Sequence, residues 1–127
     1  MIIYYKIVYE DNGKIEQTEV NLEEFIPMLL EIKRNLRVLY VEDQEGKKYN
    51  IEDFLEEEKE KIEKELKNKT KEEIIYAMQK KLTELIKKEL IYERDFSLIM
   101  TEIRRQKDRI ENVEEFKNKV IKIYLNI

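Results

Sequence analysis

Cysteine, histidine and tryptophan are absent from this 127-residue chain, and serine occurs once, at Ser97. Without cysteine there is no disulfide, no thiolate zinc site and no thiol nucleophile, so a reducing, cytoplasmic setting is expected. Without histidine, Ser-His-Asp and Cys-His devices cannot be built, and the commonest general base near neutral pH is missing. Di-iron sites of the Glu-x-x-His kind fail for the same reason. No run approaches 18 apolar residues, so no membrane span is expected. Met1 to Lys6 opens directly in strand-like sequence, without a basic stretch leading into a long apolar one, and no secretory leader is expected.

Glycine and proline are nearly absent too. Gly13, Pro27 and Gly46 are the only ones, and from Lys47 to Ile127 there is neither. Two isolated glycines exclude a glycine-rich phosphate loop. Past residue 47, turns must rely on residues such as Asn, Asp or Thr, and helix meets few interruptions.

What is present is charge. Charged residues make up 43% of the chain and apolar ones 42%, enough for a buried core and too much for disorder. The net charge of −4 is unevenly spread: residues 1–50 carry 7 basic and 10 acidic groups, residues 51–70 carry 5 and 8, and residues 71–127 carry 13 and 11. A nucleic-acid binder concentrates positive charge more than this.

The first fifty residues read as a sheet. Ile3, Tyr5, Ile7 and Tyr9 alternate with Tyr4, Lys6 and Val8, a period of two that predicts a strand. Asp11-Asn12-Gly13-Lys14 is turn chemistry, and Ile15–Val20 completes a hairpin. Asn21 followed by Glu24 is a capping arrangement that opens a helix over roughly 22–34, with Pro27 expected to disturb its start. Leu36–Val41 is a third strand, turned by Asp43-Gln44-Glu45-Gly46-Lys47 into a short fourth around Lys48–Asn50. The expected fold class is α+β, a small antiparallel sheet in ββαββ order over 1–50 followed by three to four amphipathic helices over 51–127. One domain spanning 1–127 is expected, with neither linker nor internal repeat.

The helical part has its own punctuation. Asn50 with Asp53, Thr70 with Glu73, and Asn112 with Glu115 each place a capping side chain three residues before an acidic one. Beyond Thr70, one heptad frame takes in Ile75, Met78, Leu82, Leu85, Tyr92, Phe96, Ile99, Ile103, Ile110, Val113, Val120, Tyr124 and Ile127. Apolar residues off that frame, among them Ile74, Leu90, Ile91, Leu98 and Met100, widen the face. An unbroken helix from Lys71 to Arg109 would be about 58 Å long, so the stripe is either one long arm or helices folded back. Asp95 is the expected break, with Phe96 starting the next helix.

Four groups of residues invite a functional reading. Asp43, Glu45 and Lys47 after a strand could hold a metal and position water as in a nuclease, but Glu-x-Lys recurs throughout so Lys- and Glu-rich a chain, and a hydrated turn accounts for them. The run from Glu52 to Glu65 holds eight acidic residues in fourteen positions and could mimic a phosphate backbone, yet its Glu-to-Lys spacings of four suit a hydrated helix face. Arg104, Arg105, Lys107 and Arg109 form the densest basic cluster, a candidate for phosphate contact or for a protein interface. Tyr4 and Tyr9 are candidate interface anchors. These features imply a non-enzymatic protein-binding module without a cofactor, with a protein partner or a twin bound through the helices. One concrete form is a small phage or mobile-element inhibitor of a host defence complex such as a CRISPR effector. The alternative is a nucleic-acid- or nucleotide-binding protein using Arg104–Arg109.

Overall fold

Asn12 (φ 52°) and Gly13 (φ 80°) both occupy left-handed backbone space in the computed structural model, which describes residues 1–127. Two such residues in succession make a type I′ turn, whose twist matches the strands it joins. The turn links β1 (Tyr4–Asp11) to β2 (Lys14–Asn21) in unbroken register from Tyr4 opposite Asn21 to Asp11 opposite Lys14. Helix α1 (Leu22–Asn35) follows at once, and the Asn21 side-chain oxygen accepts from the Glu24 N–H at 3.0 Å. Pro27 deletes the bond its N–H would have made to the Glu23 carbonyl. The helix runs through it unbroken, held by the buried Phe25, Leu29 and Leu30.

Strands β3 (Arg37–Asp43) and β4 (Lys48–Tyr49) complete an antiparallel sheet in the order β2-β1-β3-β4. The fold is therefore α+β, with the ββαββ order its alternation predicts. Helix α1 covers one face, and Ile7, Val20, Phe25, Leu29 and Val41 form the core beneath it. Each such side chain contributes roughly 1.5–3 kcal/mol by leaving water. On the other face, register sets Lys6 opposite Glu19 and Glu42, with Lys48 beyond Glu42, a row of alternating charge across all four strands.

Four further helices follow: α2 (Ile51–Glu65), α3 (Lys71–Lys87), α4 (Glu93–Arg109) and α5 (Val113–Leu125). The chain divides into two compact units, Met1–Glu57 and Glu58–Ile127, so the division falls inside α2. Phe54 accounts for this. Its ring lies 5.4 Å from Tyr5, 4.9 Å from Phe25 and 5.7 Å from Tyr49, which commits the first turn of α2 to the sheet.

In the second unit α3 packs against α4, and α5 against both. Met78, Leu82, Met100, Ile103, Phe116 and Val120 are almost wholly shielded from solvent. Thr70 and Glu73 form a complete capping box at the start of α3, and Asn112 caps α5 by accepting from the Glu115 N–H at 2.9 Å. Glu65, the last residue of α2, pairs with Lys81 on α3 at 3.3 Å, and Lys69 lies beyond the end of its helix.

The single heptad frame does not survive as one inner face. Met78, Leu82, Ile103 and Tyr124 are buried, but Tyr92 is 66% exposed and Ile127 59% exposed, while the off-frame Ile74, Met100 and Phe116 are buried. Each helix end resets the phase. The stretch from 71 to 111 is two helices, and their break is Lys88–Tyr92, not Asp95, which lies buried in the first turn of α4. The break forms where Glu89 turns left-handed (φ 58°). Its N–H then reaches the Ile86 carbonyl at 3.0 Å, and the Leu90 N–H reaches the Leu85 carbonyl at 2.8 Å. That pair of bonds is a Schellman closure, with Leu90 buried beyond it.

A residue with a Cβ is strained in this conformation, and glycine is not. Glu89→Gly is therefore expected to raise stability by about 1 kcal/mol. Denaturant melts at constant m-value check this, and a loss of stability would show that the Glu89 side chain has another task.

Candidate interaction surface

Residues three and four apart share a helix face, so α4 sorts its basic residues by side rather than by sequence proximity. Arg104 and Lys107 face α3. The Arg104 guanidinium donates to Gln79 Oε1 at 3.1 Å, Lys107 Nζ pairs with Glu72 at 3.2 Å, and Lys71 Nζ donates to the Lys107 carbonyl at 3.0 Å. The Glu72 carboxyl is held below the ordinary carboxylate range by its own N–H and then by the Lys107 ammonium. Arg105 and Arg109 occupy a different side. Glu102 accepts from the Gln106 amide at 2.8 Å and pairs with Arg105 at 2.8 Å. Gln106 first, then the charges of Arg105, Arg109 and Lys119, outweigh burial and keep the Glu102 carboxyl low. The four basic residues of the cluster thus do not make one patch.

Arg105 and Arg109 continue an exposed stripe that holds Leu98 and Thr101, each step three or four residues. Arg94 lies one step further back, beside Asp95 at 3.6 Å. Leu98 is 62% exposed, so it does not widen the buried face as its apolarity suggests. On α3, Tyr76 is 69% exposed. Two shallow hollows flank it, about 430 Å³ toward Lys69 and Glu73 and about 250 Å³ toward Thr83 and Lys87. Neither Leu98 nor Tyr76 stands out as a candidate in the linear sequence. The signal for both is an apolar residue whose neighbours at −4, +3 and +7 are all polar.

The tyrosine candidates fall on opposite faces of the sheet, as alternation requires. Tyr9 lies against the α1 core, half-buried, with its hydroxyl 3.4 Å from Thr18 Oγ1. Part of its surface is packed there and part is left in water. Tyr4 faces the other way and is also half-buried.

Asp43 explains the fragment that resembled a metal-binding pair. Its Oδ1 accepts from the Glu45 and Lys47 N–H groups at 2.9 and 3.0 Å, and its Oδ2 accepts from the Tyr49 hydroxyl at 2.9 Å. The carboxylate is the hub of the β3–β4 turn, where Gly46 takes a positive φ of 87°. Burial pushes Asp43 upward, but the Lys47 N–H, the Tyr49 hydroxyl, the Glu45 N–H and the Lys47 charge outweigh it and hold its carboxyl below the usual range. The same hydrogen bond, with burial, raises the Tyr49 phenol. Burial, then the charges of Asp43 and Glu57, raises Tyr5.

Comparison of the chain with protein-family models, with curated proteins and with solved structures returned no match. The functional reading therefore rests on the geometry.

Asp43, Glu72, Glu73 and Glu102 all have depressed folded-state values. A carboxyl that is more acidic folded than unfolded stabilises above its unfolded value and loses that contribution as pH falls through its folded value. Stability is thus expected to fall on acidification below about pH 4. Asp43→Asn is expected to be less stable than the parent near neutrality, with the difference shrinking below about pH 4. Thermal melts across that range check it, and a difference independent of pH would remove the carboxylate charge from the account.

Proposed function

We propose that this chain is a protein-binding module that presents the exposed stripe of α4 to its partner. The supporting observation is Leu98, 62% exposed and set on one helix face with arginines. Three of the six arginines in the chain, Arg94, Arg105 and Arg109, lie on that stripe, although lysine is the commoner cation overall. Interface cores are enriched in arginine, methionine and aromatic residues and depleted of lysine and glutamate, so the arginines of this face differ from the rest of the helical surface in the direction an interface requires. Arginine forks also select carboxylates, which favours an acidic partner surface.

The nucleic-acid reading has less support. Arg104 and Lys107 are bonded to α3 and Arg105 is paired with Glu102, and few phosphate contacts give weak, salt-sensitive affinity. A small phage or mobile-element inhibitor of a host defence complex, such as a CRISPR effector, is one form that a protein-binding module can take. A second copy of the chain is another occupant of the stripe.

Affinity capture with the full chain tests the proposal. Leu98→Asp removes an apolar group already in water, so its folding free energy is expected to change by no more than about 0.5 kcal/mol. A specific protein retained by the parent chain is expected to be lost with Leu98→Asp and weakened with Arg105→Ala combined with Arg109→Ala. The same proteins retained by all three chains would end the proposal. Release of everything captured by nuclease treatment would transfer the stripe to nucleic acid.

A further inference from the structure

The two edges of the sheet are unlike. β4 is two residues long, whereas β2 runs eight. Nothing in β2 blunts it by backbone means. It has no proline, and its pairing with β1 shows no shift in register, in contrast to the irregularity between β1 and β3 at Val8 and Tyr9.

The turn determines which groups are open. A two-residue turn closes on a hydrogen-bonded pair, here Asp11 and Lys14, and such pairs then alternate along the hairpin. Lys14, Glu16, Thr18 and Val20 direct their backbone groups to β1. Ile15, Gln17 and Glu19 direct theirs to the free side, where no turn or loop of the chain bonds to them. Residues 14–17 are all exposed, Ile15 at 72%. The edge is a row of backbone donors and acceptors in water.

Its charge restricts what can pair with it. β2 itself carries two carboxylates, Glu16 and Glu19, against one ammonium, that of Lys14, and Asp11 stands at its turn. Lys6 of β1 stands opposite Glu19, whereas Glu16 stands opposite Tyr9, so the strand keeps a net negative charge. A second copy would bring two carboxylates and only Lys14 as a cation, and a phosphate backbone would be repelled. A lysine- or arginine-bearing strand would set its cations beside Glu16 on one face or Glu19 on the other.

We propose that β2 is a docking edge for an extended, basic segment of a partner protein, which adds to the sheet as a fifth strand. Backbone bonds to Ile15, Gln17 and Glu19 supply the affinity, and the acidic side chains select the sequence. This edge shares no residue with the α4 stripe, so the two readings succeed or fail separately.

The probe is a capped octapeptide alternating valine and lysine, set against the same peptide with glutamate for lysine. Amide exchange and backbone chemical shifts of the full chain are read during titration. The lysine peptide is expected to slow exchange at Ile15, Gln17 and Glu19 and to bind less as salt is raised. Gln17→Pro deletes an outward donor and leaves the groups facing β1 in place. It is expected to lower the affinity at least about tenfold. Glu16→Lys with Glu19→Lys is expected to reverse the preference between the peptides. Leu98→Asp is expected to bind the lysine peptide as the parent does, and its failure to do so would overturn the assignment. So would protection centred on other amides, equal affinity for the two peptides, or unchanged affinity in both β2 variants. A dimer that Gln17→Pro dissociates would make a second copy the occupant and overturn it as well.

Discussion

A side chain with a Cβ held at φ 58° costs on the order of 1–2 kcal/mol, and the packing of α3 against α4 depends on Glu89 accepting that cost. If the helix continued, its apolar residues would wind around an isolated rod with no partner to bury them. The turn at Lys88–Tyr92 lets Leu82 and Leu85 on one side, and Ile99 and Ile103 on the other, all leave water. Burial of several large aliphatic groups at roughly 1.5–3 kcal/mol each exceeds the local strain. Asn68 and Asn126 reach the same left-handed conformation at the ends of α2 and α5, and asparagine does so more easily. Without a glycine, α2 and α5 end on a tolerant asparagine, and α3 ends at Glu89 by packing.

This explains which parts of the fold were legible in the sequence. The hairpin at Asn12-Gly13 and the caps at Asn21, Thr70 and Asn112 are local chemistry, a side chain or a turn acting within three or four residues of itself. The break at Glu89 is not local. Glutamate is a good helix former, and the lysines before it, a helix-end signal elsewhere, recur along the whole of this chain. Asp95 looks like a break because aspartate disfavours helix interiors, yet near a helix N-terminus its charge is favourable and α4 places it in the first turn. The continuous heptad frame misled for a related reason, since periodicity is meaningful only within one helix.

The candidate site shows the same division. Arg104, Arg105, Lys107 and Arg109 are adjacent in sequence, but the helical repeat sends two toward α3 and two along an open face. Leu98, six or more residues away from them, belongs with Arg105. Asp43 illustrates the converse. Its spacing to Glu45 and Lys47 resembled metal chemistry, but the same spacing is what a carboxylate needs to gather the N–H groups of a tight turn. Charge in this chain therefore has two uses, fastening turns and helix ends in some places and remaining open in others. The exposed part carries arginine on α4 and a net negative charge along β2.

The sheet order β2-β1-β3-β4 also bears on the time the first unit takes to assemble. The pairings of β1 with β2 and of β3 with β4 join neighbours across short turns, and α1 is a local helix. Only β1 with β3 joins distant segments, from Tyr5 opposite Asp43 to Glu10 opposite Arg37. Closing that loop restricts the whole of β2 and α1 before any ladder bond rewards it. The central pairing of the sheet thus closes its longest loop, and until it forms β1 has one free edge instead of none.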